Sequence, residues 1–158
     1  VAPRIEQVVH YVEAPEKATV LLELLRHPSV TRALVFVRTK AGADRLVVRI
    51  GTGGIPSEAI HSDRPQPDRV RALARFKSGA SRVLIATDVA ARGIDIDHVS
   101  HVFNYDVPNV PETYVHRIGR TARAGEAGTA ITLCAMAERP FLADIERLIG
   151  QPILAIAV

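Results

Sequence analysis

The sequence predicts a single three-layer α/β/α domain on a mainly parallel sheet, and three observations carry that reading. Short β-rich runs alternate along the chain with segments of helical periodicity, the pattern of strands joined by crossover helices. The runs at 33–37 and 83–86 are apolar at every position, as in strands covered on both faces. At 158 residues the chain fits one domain, and a domain near that length buries about 68–70% of the surface its unfolded form exposes.

Taken in order, residues 5–12 read as a strand, followed by a helix over 15–26 that packs Leu21, Leu22, Leu24 and Leu25. The apolar strand 33–37 leads to a helix over 41–50, which the Gly51-Thr52-Gly53-Gly54 break ends. A short strand at 57–61 precedes a helix at 65–77, with proline in its first turn and Gly79 just past its end. Strands follow at 83–86 and 101–105, then a helix at 111–123. A strand at 129–135, a helix at 138–149 and an edge strand within 153–158 complete the chain. No repeat, low-complexity segment or long linker divides it.

Hydrophobic residues make up 47% of the chain, which argues against disorder. No apolar run approaches the ~20 residues that span a bilayer and no signal-peptide pattern opens the chain, so a soluble cytoplasmic protein is expected. The single Cys134 excludes an internal disulfide and falls in an apolar strand, where it reads as core filling. Asp97, His98 and His101 lack metal-ligand spacing, and no metal site is expected. The net charge of +3 permits nucleic-acid binding without requiring it. Lysine occurs only at Lys17, Lys40 and Lys77, so seventeen of the twenty cationic side chains are arginine. Arginine suits bidentate phosphate contacts, although a GC-rich genome gives the same bias.

Ligands of open α/β sheets bind beyond the carboxyl ends of the strands. Three hydroxyls fall there, Thr39, Ser62 and Thr87, each ahead of a helix whose free N–H groups favour phosphate. One such hydroxyl is usually a helix cap; three along one edge point to an extended anion. The stretch from His116 to Arg123 adds three arginines and a histidine with no acid among them. On a continuous helix His116, Arg120 and Arg123 share a face, while Tyr114, Val115, Ile118 and Ala122 dock elsewhere. Taken alone, the stretch fits a polyanion site or a solvated arginine face equally.

In combination these segments resemble the second RecA-like domain of DEAD-box RNA helicases over essentially the whole chain. Leu34 to Lys40 looks like that family's motif IV, Gln66 and Arg69 its Q-x-x-R signature, Thr87 to Asp95 motif V, and His116 to Arg123 motif VI. The early Ile5, Gln7 and Lys17 resemble the usual entry to this domain. Related families begin motif VI with Gln, so His116 favours DEAD-box over the DEAH or RecQ groups. Two residues depart from the pattern: Ala122 stands where many members have Gly, and Ser62 replaces the Gly of a His-Gly-Asp triplet.

The resemblance implies an ATP-dependent RNA helicase acting on single-stranded or duplex RNA. It assigns Arg120 and Arg123 to the ATP γ-phosphate as arginine fingers, and Asp95 to the ribose or to positioning the fingers. His116 joins the network coupling ATP to RNA, and Arg92 and Arg117 face the partner domain. Thr39, Ser62, Arg69, Thr87 and Gly93 line the RNA backbone, with Gln66 orienting that segment. For Asp88 and Arg92 a helix cap and a salt bridge are equally good readings.

No G-x-x-x-x-G-K-[ST] loop and no Asp-Glu-Ala-Asp sequence is present. In the family both lie on a preceding N-terminal RecA-like domain, which holds ATP and Mg²⁺. The chain is therefore expected to be half an ATPase site and half an RNA cleft, inactive as an ATPase by itself. A free-standing, non-catalytic RNA-binding domain is the alternative. A nucleotide-binding enzyme of flavodoxin or dinucleotide type is a third reading; it lacks a G-x-G-x-x-G after the first strand and leaves the arginines unexplained.

Overall fold

A computed structural model describes residues 4–122 and 126–157. Seven strands form one sheet: β1 (Arg4–Tyr11), β2 (Ala33–Phe36), β3 (Ser57–Ile60), β4 (Val83–Ala86), β5 (His101–Asn104), β6 (Ala127–Cys134) and β7 (Leu154–Ala155). Their order is β3-β4-β2-β5-β6-β1-β7, and every pairing is parallel. The helices are α1 (Lys17–Leu25), α2 (Lys40–Thr52), α3 (Gln66–Ser78), α4 (Asp88–Ala91), α5 (Pro111–Ile118) and α6 (Arg139–Ile149). The expected three-layer α/β/α architecture, RecA-like in its all-parallel sheet, is what forms. No helix among the described residues is long and apolar enough to cross a membrane.

Alternation along the strands splits the core between the two faces of the sheet. Ala33, Val35 and Val37 pack with Leu21, Leu25, Leu46 and Ile50 of α1 and α2. Leu34 and Phe36 face the other way, against Ala72 and Phe76 of α3 and Ala90 and Ala91 of α4. A third cluster seats Tyr114 and Ile118 of α5 and Leu142 and Ile145 of α6 on Val9 and Ala130. Cys134 is fully buried in this cluster, as core filling requires.

Two helix ends obey local rules. α3 stops at Gly79, whose φ of 86° is left-handed and open to glycine without strain. α6 stops in the same way at Gly150. The largest departure from expectation is α5, which ends at Ile118 with Gly119 as its cap instead of running to residue 123. Thr121 is drawn into a parallel bridge with Val99, and its Oγ1 donates to the Val99 carbonyl at 2.5 Å. Tertiary pairing outcompetes a helix that glycine already weakens by about 1 kcal/mol. His116 and Arg120 therefore do not share one face of a continuous helix, and Arg123 lies outside the described residues. Ala122, with φ of 58°, takes a left-handed conformation that explains why glycine suits this position.

Candidate functional site

β2 and β4 are neighbours, with Phe36 opposite Ala86, and both run out at the carboxyl edge into a threonine that caps a helix. Thr39 Oγ1 accepts from the Gly42 N–H at 3.0 Å, and Thr87 Oγ1 from the Ala90 N–H at 3.4 Å. Each hydroxyl keeps its proton to donate to an anion. A Cβ on Gly42 would stand 2.9 Å from Thr39 Oγ1, so the bare glycine makes this tight cap. Ser62 differs. It is exposed in the turn after β3, and Pro65, not Ser62, is the N-cap of α3. Buried His61 anchors that turn: its Nε2 pairs with Asp44 at 2.9 Å and its Nδ1 accepts from the Asp63 N–H. Although partial burial opposes ionisation of Asp44, its hydrogen bonds to His61 and Arg64 hold its pKa below the ordinary carboxylate value.

Gln66 opens α3, exposed, and Arg69 follows one turn later. Arg69 makes no ion pair among the described residues, and its buried Nε has no hydrogen-bond partner. An uncommitted guanidinium at this edge is a ready phosphate ligand. Gly93 turns the chain after α4 with a φ of 75°, strained for any side chain.

Arg117 lies inside the domain at 3% exposure, not on its surface. Its Nε and Nη2 each reach a carboxylate oxygen of Asp88 at 2.7 Å, a bidentate pair. Its Nη1 donates to Asn104 Oδ1 at 3.2 Å and to the Asp106 carbonyl at 2.8 Å. Asn104 in turn donates to Thr132 Oγ1 at 3.1 Å, and the guanidinium lies 5.0 Å from the Phe36 ring centroid. This chain of contacts ties α5 to α4, β5 and β6. Burial leaves Arg117 little free surface, although it lines the same cavity as His116 and Arg120, and its contacts hold α4 and α5 together. Asp88 is its salt-bridge partner, one of the two readings open from sequence.

His116, Arg92 and Arg120 line one cavity of about 170 Å³ between α4 and α5, with Asp88, Thr113 and Phe36. His116 and Arg92 are exposed there. Arg120 donates to the carbonyls of Ile94 at 2.9 Å and Ala91 at 3.2 Å, with a longer contact to Ile96. It thus grips the backbone on both sides of Asp95. Asp95 itself lines a different cavity, with Arg32, Phe76 and His98, so it is not gathered with His116. Arg123 lies outside the described residues. The cavity between α4 and α5 is smaller than the roughly 300–1,000 Å³ usual for small-molecule sites.

Residues that sequence reasoning did not single out complete the arrangement. Asn104, polar directly after Val102 and Phe103, was a readable signal of a buried network. Gly128 was not: a Cβ there would stand 2.1 Å from Thr121 Oγ1 and 2.7 Å from the Ala122 nitrogen, so only glycine lets β6 pass beneath the loop carrying Arg120. Among the described residues no cluster of His, Cys, Asp or Glu gathers as a metal site.

The helicase conserved C-terminal domain family matches residues 16–125. DEAD-box ATP-dependent RNA helicase CshA of Bacillus subtilis is 48% identical over 143 residues, 90% of this chain and 29% of that protein. The chain thus spans under a third of the length of that curated relative. The structure of Escherichia coli DEAD-box protein SrmB bound to regulator of ribonuclease activity A superposes with a TM-score of 0.95 and 41% identity, covering 99% of this chain and 93% of that one. Saccharomyces cerevisiae Dbp5 bound to RNA and ADP BeF3 gives 0.90 and 34%, over 99% of this chain and 42% of that one. With motifs, sheet order and relatives in agreement, the chain belongs to the helicase conserved C-terminal domain family, as the second RecA-like domain of a DEAD-box protein.

Proposed function

We propose that this chain is the C-terminal half of an ATP-dependent RNA helicase, contributing one wall of an ATP site and part of an RNA-backbone track. The observation that carries the proposal is the shared carboxyl edge. It sets the cavity of Arg92, His116 and Arg120 beside Thr87, on the same α4 turn that Arg117 locks through Asp88. The names of the relatives agree: CshA is an ATP-dependent RNA helicase, and Dbp5 has been captured with RNA and a nucleotide.

ATP would be held chiefly by an N-terminal RecA-like domain across the cleft, together with its Mg²⁺. Arg120 and Arg123 would face the γ-phosphate, and Asp95 the ribose. An arginine aimed at charge developing in phosphoryl transfer is worth about 10³–10⁵ in rate. Arg120 starts from a held position, because three backbone carbonyls occupy its guanidinium. Reaching a phosphate means releasing some of them, which links the finger to the loop around Gly93. His116 and Arg92 would contact the facing domain.

The RNA would run past Thr39, Ser62, Arg69, Thr87 and Gly93, held by phosphate and sugar, with Gln66 orienting α3. Such contacts position a strand without reading its sequence. Domain closure would then bend the bound strand away from its complement and unwind the duplex locally.

The test uses the full-length protein in RNA-stimulated ATP hydrolysis. Arg120→Ala is expected to lower kcat by orders of magnitude while nucleotide binding to the facing domain survives, since a finger acts mainly in the transition state. This chain alone, given ATP, Mg²⁺ and RNA, is expected to release phosphate only at background. Near-normal kcat in the variant, or robust turnover by the chain alone, refutes the half-site.

A further inference from the structure

A second cleft opens on the α1 and α2 side of the sheet, and of its lining residues only Thr39 has a role above. Its volume of about 400 Å³ falls within the range of about 300–1,000 Å³ typical of ligand sites. Val37, Leu46 and Tyr105 lie in it beside three arginines, Arg38, Arg45 and Arg49. Arg38 is committed, donating to the Val107 carbonyl at 2.7 Å and Asn109 Oδ1 at 3.2 Å, and lying 3.6 Å from Glu138.

Arg45 and Arg49 are not committed in that way. Both are exposed and stand four residues apart on α2, where like charges repel. Neither forms an ion pair among the described residues. Arg49 has one neutral contact, 3.3 Å to Thr19 Oγ1, and Arg45 makes no side-chain hydrogen bond among them. The one carboxylate in the cleft, Asp106, accepts from the Arg38 backbone N–H at 2.7 Å. Burial and Asp106 push the Tyr105 phenol up in pKa while Arg49 and Arg45 pull it down, so both cations act on the phenol.

The cleft is continuous with the proposed RNA track, because Thr39 and Gly42 line it too. Arg45 Nη2 would stand 3.9 Å from a Cβ built on Gly42, which lays its guanidinium over the first turn of α2.

We infer that this cleft is a further phosphodiester subsite, in which Arg45 and Arg49 take RNA backbone phosphate beyond the Thr39 end of the track. The inference rests on the RNA reading above and extends it around the α2 face of the domain. It predicts that strands long enough to leave the track at Thr39 bind more tightly and with a steeper salt dependence than strands that only fill it.

The experiment compares a short single-stranded RNA with the same RNA extended by several nucleotides at either end, titrated by fluorescence anisotropy at several salt concentrations. Arg45→Ala/Arg49→Ala is expected to weaken binding of one extended RNA several-fold and to lower its salt slope by about one to two ions. Affinity for the short RNA and the melting temperature should stay at the parent values. Arg45→Lys/Arg49→Lys should retain most of the gain from extension. Equal affinity of the double alanine variant and the parent for every extended RNA overturns the inference. If Arg69→Ala weakens all the RNAs in that case, the track stands and only the subsite fails; if Arg69→Ala also changes nothing, the RNA reading itself fails. Pyrophosphate is the remaining arm. Binding that depends on Arg45 and Arg49, with no dependence on RNA length, assigns the cleft to a free phosphorylated molecule and overturns the RNA assignment.

Discussion

Replacing Arg117 by alanine tests whether the site is held from within. The substitution removes both 2.7 Å bonds to Asp88 and strands Asn104 Oδ1 and the Asp106 carbonyl. Breaking a buried ion pair by deleting one partner costs about 3–5 kcal/mol. The Asp88 side chain is 31% exposed and can regain water, so the lower end applies, about 3 kcal/mol. At about 2–4 °C per kcal/mol for a domain near this size, the melting temperature should fall by roughly 6–12 °C. Arg117→Lys keeps a charge but loses the fork, and should fall between alanine and the parent. Thermal and urea unfolding of this chain measure both, and Asp88→Ala closes a double-mutant cycle. Because the two side chains share their bonds, the two losses should be strongly non-additive. A fall under about 2 °C, or simple additivity with Asp88→Ala, refutes the claim that this pair fastens α4 to α5.

Three further outcomes follow from single features. Gly128→Ala places a methyl within 2.7 Å of the Ala122 backbone nitrogen; it should destabilise by about 1–3 kcal/mol, as overpacking does, and should reduce RNA-stimulated turnover of the full-length protein by displacing Arg120. Unfolding titrations matching the parent would show that the loop yields freely. Burial pushes the Cys134 thiol up to about 11, so the unfolded chain releases this proton first and stability should fall as pH rises from about 9 toward 11. Cys134→Ala should flatten part of that slope, and the thiol should react with an alkylating reagent only on unfolding; rapid labelling of the native chain contradicts the burial. Arg69→Ala should weaken two unrelated single-stranded RNAs about equally and lower the salt slope by roughly one ion. Loss for one sequence only, or an unchanged slope, misplaces the track.

The centre of the sheet was legible because its strands are covered on both faces. All four residues of β2 and of β4 are buried, and an unbroken apolar run is the form that burial takes in sequence. Gly79 marked the end of α3 for an equally local reason. The end of α5 was read five residues too long, although Gly119 stood in the sequence as a stop signal. Hydrophobic periodicity at Tyr114, Val115, Ile118 and Ala122 pointed the other way; Tyr114, Ile118 and Ala122 are buried, whereas Val115 is exposed. Ala122 earns its burial from a left-handed turn rather than from a helix face. Periodicity reports which residues are covered; it does not report which backbone brings them there.

The same distinction separates the candidate residues whose placement was readable from those whose placement was not. Thr87 follows an apolar strand directly and Thr39 stands three residues past one, so the position of each hydroxyl is fixed by a single strand end. Arg117 cannot be placed that way. Its partners are 29 and 13 residues distant, on α4 and β5, and meet it only after both have packed. The resemblance set Arg117 toward a partner domain and Arg120 at the γ-phosphate, and the fold holds these two arginines in different ways. Arg117 makes four hydrogen bonds inside the domain, two of them to a carboxylate, whereas Arg120 donates only to backbone carbonyls, which a stronger anion can displace. A guanidinium bound to a carboxylate has little to gain from phosphate, while one bound to neutral carbonyls has much, because hydrogen bonds between ionised partners are roughly twice as strong as neutral ones. Spacing along the chain counts both as cations. Only the identity of the acceptor separates the arginine that fastens α4 to α5 from the one proposed to reach across the cleft.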